Sequence, residues 1–279
     1  MVSKSIKYRC MRLLRCRKGI AIPISFLILF ASTSLIVSVT YYFAVSKVDN
    51  RNALINVSAA KHNMEFLSNA IQTTAWITGS SEHFYFSDCG GEFKTEPTAN
   101  LLLLNITDNE SFCDVFFNSS VGRVIYDLPQ CDFQTETLYL IGDSRTIVNQ
   151  SSSTMTQLCI FQGSDSPEIK ISYRPTATSS SNGLSGEKPL NILRVYVINL
   201  NQSQDLLIRG NFDLRIMCTN VTSISEQYNF TSPISSLTVK ATLAGYESLV
   251  TVPISSNTQG AAVRIETIIC EIKLQRVSD

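Results

Sequence analysis

Residues 19–46 read GIAIPISFLILFASTSLIVSVTYYFAVS, 28 consecutive residues without a charged side chain. The strongly apolar part, Ile20–Val45, is about 39 Å long as a helix at 1.5 Å per residue. A hydrocarbon core is about 30 Å thick and takes about 20 residues to cross. The run therefore predicts a transmembrane helix with length to spare. Tyr41 and Tyr42 stand near its outer end, where amphipathic rings favour the membrane–water boundary.

On the inner side lie Lys4, Lys7, Arg9, Arg12, Arg15, Arg17 and Lys18, with no acidic residue before Gly19. The rest of the chain carries sixteen basic and 23 acidic residues, so the formal neutrality of the whole hides a basic head and an acidic body. This asymmetry sets topology: basic residues stay in the cytoplasm, and the C-terminal body lies outside the cell in a single-pass arrangement. An acidic body argues against nucleic acid as a partner; the head is suited to anionic lipid head groups, making the lipid bilayer the first expected partner. A cleaved secretory signal is disfavoured because its apolar region is shorter and Tyr42-Phe43-Ala44 is a poor cleavage site. A buried core helix is incompatible with seven uncompensated charges at its border.

The junction Arg17-Lys18-Gly19-Ile20-Ala21-Ile22-Pro23-Ile24-Ser25-Phe26 resembles the start of archaeal type IV pilin-like proteins, which carry a class III signal peptide. In that family a basic leader ends in Lys/Arg-Gly, and a prepilin-type peptidase cuts after the glycine on the cytoplasmic side. The resemblance implies a cut between Gly19 and Ile20, with the following helix as anchor or filament core and other pilin-like subunits as partners. It covers about the first 80 residues; beyond them only the layout, helix then β domain, is similar. Many bacterial pilins carry a Glu five residues after the cut. Here Ile24 takes that place and Pro23 precedes it, which puts filament assembly in doubt. The alternative is an uncleaved type II membrane glycoprotein acting as a receptor or envelope component.

Past the span, Ala53, Val57, Ala60, Met64, Leu67 and Ile71 recur at spacings of four and three, one apolar stripe on a continuing helix. No Pro or Gly interrupts before Gly79, so one helix is expected from about 20 to about 77. The stripe calls for a partner: the chain's own β domain in the simpler reading, neighbouring helices of a filament in the other.

From His83 onward short apolar and β-branched runs dominate. Ile169–Tyr173 and Leu193–Val197 alternate with period two, 237–254 reads as a hairpin turning at Ala244-Gly245, and Val263–Leu274 is an alternating final strand. The expected class is α+β: a long N-terminal transmembrane and amphipathic helix followed by an all-β, sandwich-like ectodomain. The expected organisation is a cytoplasmic leader 1–19, a transmembrane helix 20–45, an amphipathic helix 46–79 and a β-rich extracellular domain 80–279. Residues 175–189, rich in Ser, Thr and Gly, read as a flexible loop or subdomain boundary.

Cys10 and Cys16 fall in the leader. Cys89, Cys113, Cys131, Cys159, Cys218 and Cys270 fall outside, where an even number suggests up to three disulfides among 15 pairings. Wide spacing without Cys-x-x-Cys argues against zinc, and buried thiols are the alternative. Eight Asn-x-Ser/Thr sequons, at Asn56, Asn105, Asn109, Asn118, Asn149, Asn201, Asn220 and Asn229, are about twice the chance number and point to a glycosylated exterior.

Of the two histidines, His62 lies on the amphipathic helix and His83 at a strand start, and no nucleophile–base arrangement is singled out. No phosphate-binding loop or zinc-protease motif occurs. Asp108-Asn109-Glu110 and Gly142-Asp143-Ser144 could offer oxygens to Ca²⁺, though turn chemistry explains them equally. The expectation is a non-enzymatic cell-surface protein for adhesion or surface structure, without catalytic residues, metal or cofactor; the ectodomain ligand is not encoded legibly.

Overall fold

The computed structural model describes residues 3–108, 112–129, 137–149, 153–164 and 166–277, with side chains from Pro23 onward except at position 50. Helix α1 runs Ser3–Thr74. It belongs to two compact units, Met1–Ala53 and Leu54–Asp279.

In the first unit, the described apolar side chains between Ile24 and Val45 are exposed, Phe26 and Tyr41 to about 70%. The helix Pro23–Thr74 is long and apolar enough to cross a membrane, and none of its most apolar stretch is covered by protein. Some of its hydroxyls bond back to the helix: Ser38 Oγ donates to the Ser34 carbonyl and Thr40 Oγ1 to the Ile36 carbonyl, both at 2.8 Å. Such back-bonding satisfies these donors within the helix itself. Pro23 lies within the helix, where it withholds one backbone donor.

In the second unit the predicted stripe is core from Ala60 onward, with Val57 half-buried against it. Ala60, Met64, Leu67 and Ile71 are fully buried, in a cluster with Phe86, Phe93, Phe212, Ile272 and Leu274. The helix ends at Thr74, three residues before the expected position.

Fourteen strands follow among the described residues, in two curled sheets. The six-stranded sheet is ordered β1 (Ser81–Phe86), β11 (Phe212–Phe230), β14 (Ala261–Arg276), β9 (Lys188–Asn199), β8 (Thr176–Ser185), β5 (Val148–Asn149). The other runs β13 (Tyr246–Pro253), β12 (Ser236–Leu243), β2 (Glu92–Thr107), β3 (Cys113–Asp127), β7 (Pro167–Tyr173), β6 (Thr156–Gln162), β4 (Leu138–Ile141), with β10 (Leu206–Arg209) also on β2. Pairing is antiparallel except β14 with β9 and β5 with β8. A second core, including Leu104, Val195, Val239 and Val263, draws side chains from both sheets.

The hairpin at 237–254 forms, with Ala244 at φ 52° and Gly245 at φ 82°. Residues 175–189 differ from expectation: instead of a loop or boundary they form β8 and its turn into β9. The hydroxyl-rich half of β8 is exposed near a sheet edge, where backbone pairing with β9 suffices and no apolar alternation is required.

Candidate functional site

The most distinctive geometry lies where the helix hands the chain to the sheets. The Ala75 amide still donates to the Ile71 carbonyl at 3.0 Å. Trp76 then takes φ 72°, the left-handed region that glycine normally supplies just past a helix end. Such a conformation costs on the order of 1–3 kcal/mol and persists only when its surroundings impose it. Here they do: the Trp76 amide donates to Cys270 Sγ at 3.3 Å, and its indole meets the Tyr196 ring edge-on at 5.5 Å. The Ser80 hydroxyl donates to the Thr74 carbonyl at 2.6 Å. The Gly79 amide donates to the Cys218 carbonyl and the Cys218 amide to the Ser80 carbonyl.

Beside Trp76 and Tyr196 opens a cleft of about 410 Å³, also lined by Ser153, Thr154, Met155 and Thr176. Its wall contains an orphan: Thr176 Oγ1 is buried and has no partner among the described residues. Two half-buried rings and three hydroxyl-bearing side chains suit a small amphipathic group better than an ion.

Behind the cleft lies Arg174, whose side chain is completely buried. Its guanidinium donates to the Asp143 carboxylate, to the Thr154 and Arg145 carbonyls at 3.0 Å each, and to Ser153 Oγ at 2.7 Å. Arg145 also pairs with Asp143, at 2.7 Å. Hydrogen bonding from Arg145, then Arg174, holds the Asp143 carboxyl far below the usual carboxylate range. In Gly142-Asp143-Ser144 the carboxylate is thus committed to two arginines rather than offered to Ca²⁺. In the other acidic turn, Asp108 Oδ1 accepts the Phe112 amide at 2.9 Å, the turn chemistry already considered; Asn109 and Glu110 lie outside the described residues. Among the described residues no group of three or more His, Cys, Asp or Glu could hold a metal.

The cysteines separate by environment. Cys89, Cys159, Cys218 and Cys270 are buried and Cys113 is exposed, all five as thiols; Cys131 lies outside the described residues. Cys218 Sγ and Cys270 Sγ are 3.6 Å apart. Burial pushes the Cys270 thiol up to about 12 and raises those of Cys89 and Cys159. At neutral pH these three are protonated and poorly nucleophilic.

Of the sequons, Asn118, Asn220 and Asn229 are exposed; Asn56, Asn105, Asn149 and Asn201 are half-buried, and Asn109 lies outside the described residues. Gly19 and Ile20 are in α1, their side chains outside the described set. His83 is exposed on β1 opposite Arg215, and His62 packs edge-on against Phe66 at 4.3 Å. The Arg174 network and the Trp76 turn gave no sequence signal: Arg174 reads simply as the charge ending an alternating strand. Set against known proteins, the chain matches no family model, no curated protein and no solved structure.

Proposed function

We propose that this chain is a non-enzymatic, pilin-like cell-surface protein. Its N-terminal helix anchors it in the membrane or assembles with like helices, and its sandwich-like β ectodomain presents a glycosylated surface for adhesion or surface architecture. One observation carries the reading: an apolar helical stretch with no protein cover directly follows seven basic residues and an Arg-Lys-Gly junction. Lipid is the environment that accepts such a surface, and the basic flank keeps the leader in the cytoplasm. The buried stripe from Ala60 to Ile71 supports an ectodomain built directly onto the continuation of the anchor. Exposed Asn118, Asn220 and Asn229 supply glycan sites.

A second reading, an uncleaved type II membrane glycoprotein serving as receptor or envelope component, is favoured by Ile24, an exposed apolar side chain where many bacterial pilins carry Glu. Mass spectrometry of the native membrane-fraction protein separates the two. A chain beginning at Ile20 supports the pilin-like reading, and an intact leader supports the second. Protease added outside intact cells should digest residues beyond 80; protection of that region defeats both.

A further inference from the structure

The geometry points to Cys218 and Cys270 as a disulfide pair, a cross-strand bond between the two strands that hold the helix end by hydrogen bonds. This deepens the surface-protein reading and rests on it for one ingredient, the oxidising exterior.

The argument begins with register. Antiparallel β11 and β14 place Cys218 opposite Ile272 and Val221 opposite Cys270, with an irregularity between Cys218 and Asn220. Cys270 is two residues from Ile272, so Cys218 and Cys270 are diagonal neighbours on one face, a relation that brings side chains within reach. The extra residue, Thr219, bends β11 as bulges do, and its hydroxyl donates to the Glu271 carbonyl at 3.1 Å. Both cysteines point into the same core and neither is exposed. Their sulfurs, 3.6 Å apart, need to approach by about 1.5 Å to reach the bond length of a disulfide. No other two described cysteines have sulfurs in contact. Cys89 Sγ takes the Asn63 amide and donates to the Ser87 carbonyl, Cys159 stands across the strands from Tyr139 and Lys170, and Cys113 faces solvent.

The chemistry is thiol–disulfide exchange with a small-molecule or protein disulfide of the cell exterior as oxidant. One cysteine thiolate attacks the oxidant's S–S bond, forming a mixed disulfide and releasing one thiol. The second cysteine thiolate displaces the other half, so the Cys218–Cys270 bond forms, two electrons pass to the oxidant, and it leaves as two thiols carrying the two protons. Because both sulfurs are sealed once folded, exchange takes place while β11 and β14 are still separating and rejoining, when the thiols ionise as ordinary cysteines do. The bond closes a loop spanning most of β11, β12, β13 and most of β14. It also fixes the sulfur that accepts the Trp76 amide and the strand segment that holds Gly79 and Ser80.

The test uses the full chain in detergent, both as isolated from membranes and as refolded in a mixture of reduced and oxidised glutathione. Free thiols are blocked, glycans removed, and tryptic peptides mapped without reductant. The expected species joins Ile216–Lys240 to Ile265–Lys273 in both samples, and reduction lowers the Tm by on the order of 10 °C. That shift should vanish in Cys218→Ala/Cys270→Ala and persist in Cys89→Ala. If the bond forms on refolding but native protein carries free thiols, the pairing stands and the exterior location falls. If refolded protein keeps both thiols free, or joins either to another cysteine, the pairing is overturned.

Discussion

Asp143→Ala should destabilise the β domain far more than its place on a surface turn suggests. The Arg174 side chain has no solvent exposure, and Asp143 is the carboxylate paired with it among the described residues. Removing one partner of a buried ion pair typically costs 3–5 kcal/mol, because the remaining charge stays desolvated. Asp143 itself is 38% exposed, so water takes over part of its role and the loss should fall near the lower end, about 3 kcal/mol. With a urea dependence of about 3 kcal/mol per molar, the unfolding midpoint of the full chain in detergent should drop by about 1 M. Trp76, the only tryptophan, provides the fluorescence signal. Two controls isolate the cause. Arg145 is 47% exposed in its own pairing with Asp143, so Arg145→Ala should cost under about 1 kcal/mol. Combining Asp143→Ala with Arg174→Met removes both charges, and the double variant should be more stable than the sum of the two single losses predicts. A loss below about 0.5 kcal/mol for Asp143→Ala, or strict additivity in the cycle, would refute the reasoning.

The same carboxylate sets an acid response. Its folded pKa is depressed, so its contribution is present above its unfolded value near 4 and is lost as pH falls toward the folded one; between pH 5 and 2 the Tm of wild type should fall more steeply than that of Asp143→Asn. Tyr126 titrates the other way: burial lifts its hydroxyl to about 12, so its contribution is complete below about pH 10 and disappears as pH rises through 12. Absorbance at the phenolate band should therefore show Tyr126→Phe losing a late-titrating group, and an unchanged curve would contradict this. Leu67→Ala, in the centre of the helix-bound core, should cost about 3 kcal/mol in the urea experiment. Ala244→Gly relieves a left-handed alanine at the hairpin tip and should raise stability by about 0.5 kcal/mol, whereas Gly245→Ala should lower it.

Periodicity carried most of what was legible. The apolar stripe announced a buried helix face, realised from Ala60 to Ile71, because burial on a helix must repeat every three or four residues. Leu193–Val197 announced a strand by alternating, and Ala244-Gly245 marked its hairpin through turn chemistry. What escaped prediction lacked such a signal. The exposed halves of β8 and β11, such as Ser180–Ser181 and Ser223–Gln227, are held by backbone pairing, which leaves almost no trace in side-chain polarity. The site was less legible still. Arg174 and Asp143 lie 31 positions apart and meet only because β7 and the turn after β4 converge. Cys218 and Cys270 are one of 15 possible pairs, and only the register of two strands singles them out. The strained turn at Trp76 is imposed by the strands around it, so the local residues alone would argue for a glycine there.

The six-stranded sheet also has a timetable. Its inner strand β14, flanked by β11 on one side and β9 on the other, lies at 261–276, later in the chain than every other strand of that sheet. A polypeptide synthesised N-terminus first thus presents β9 and β11 as two open edges until β14 is made. Any nascent chain stalled before 261 would expose unpaired backbone suited to sticking to its neighbours. Folding of this molecule therefore favours conditions that shield or slow the chain until residues 261–276 arrive, and synthesis order becomes part of what the fold demands of its cell.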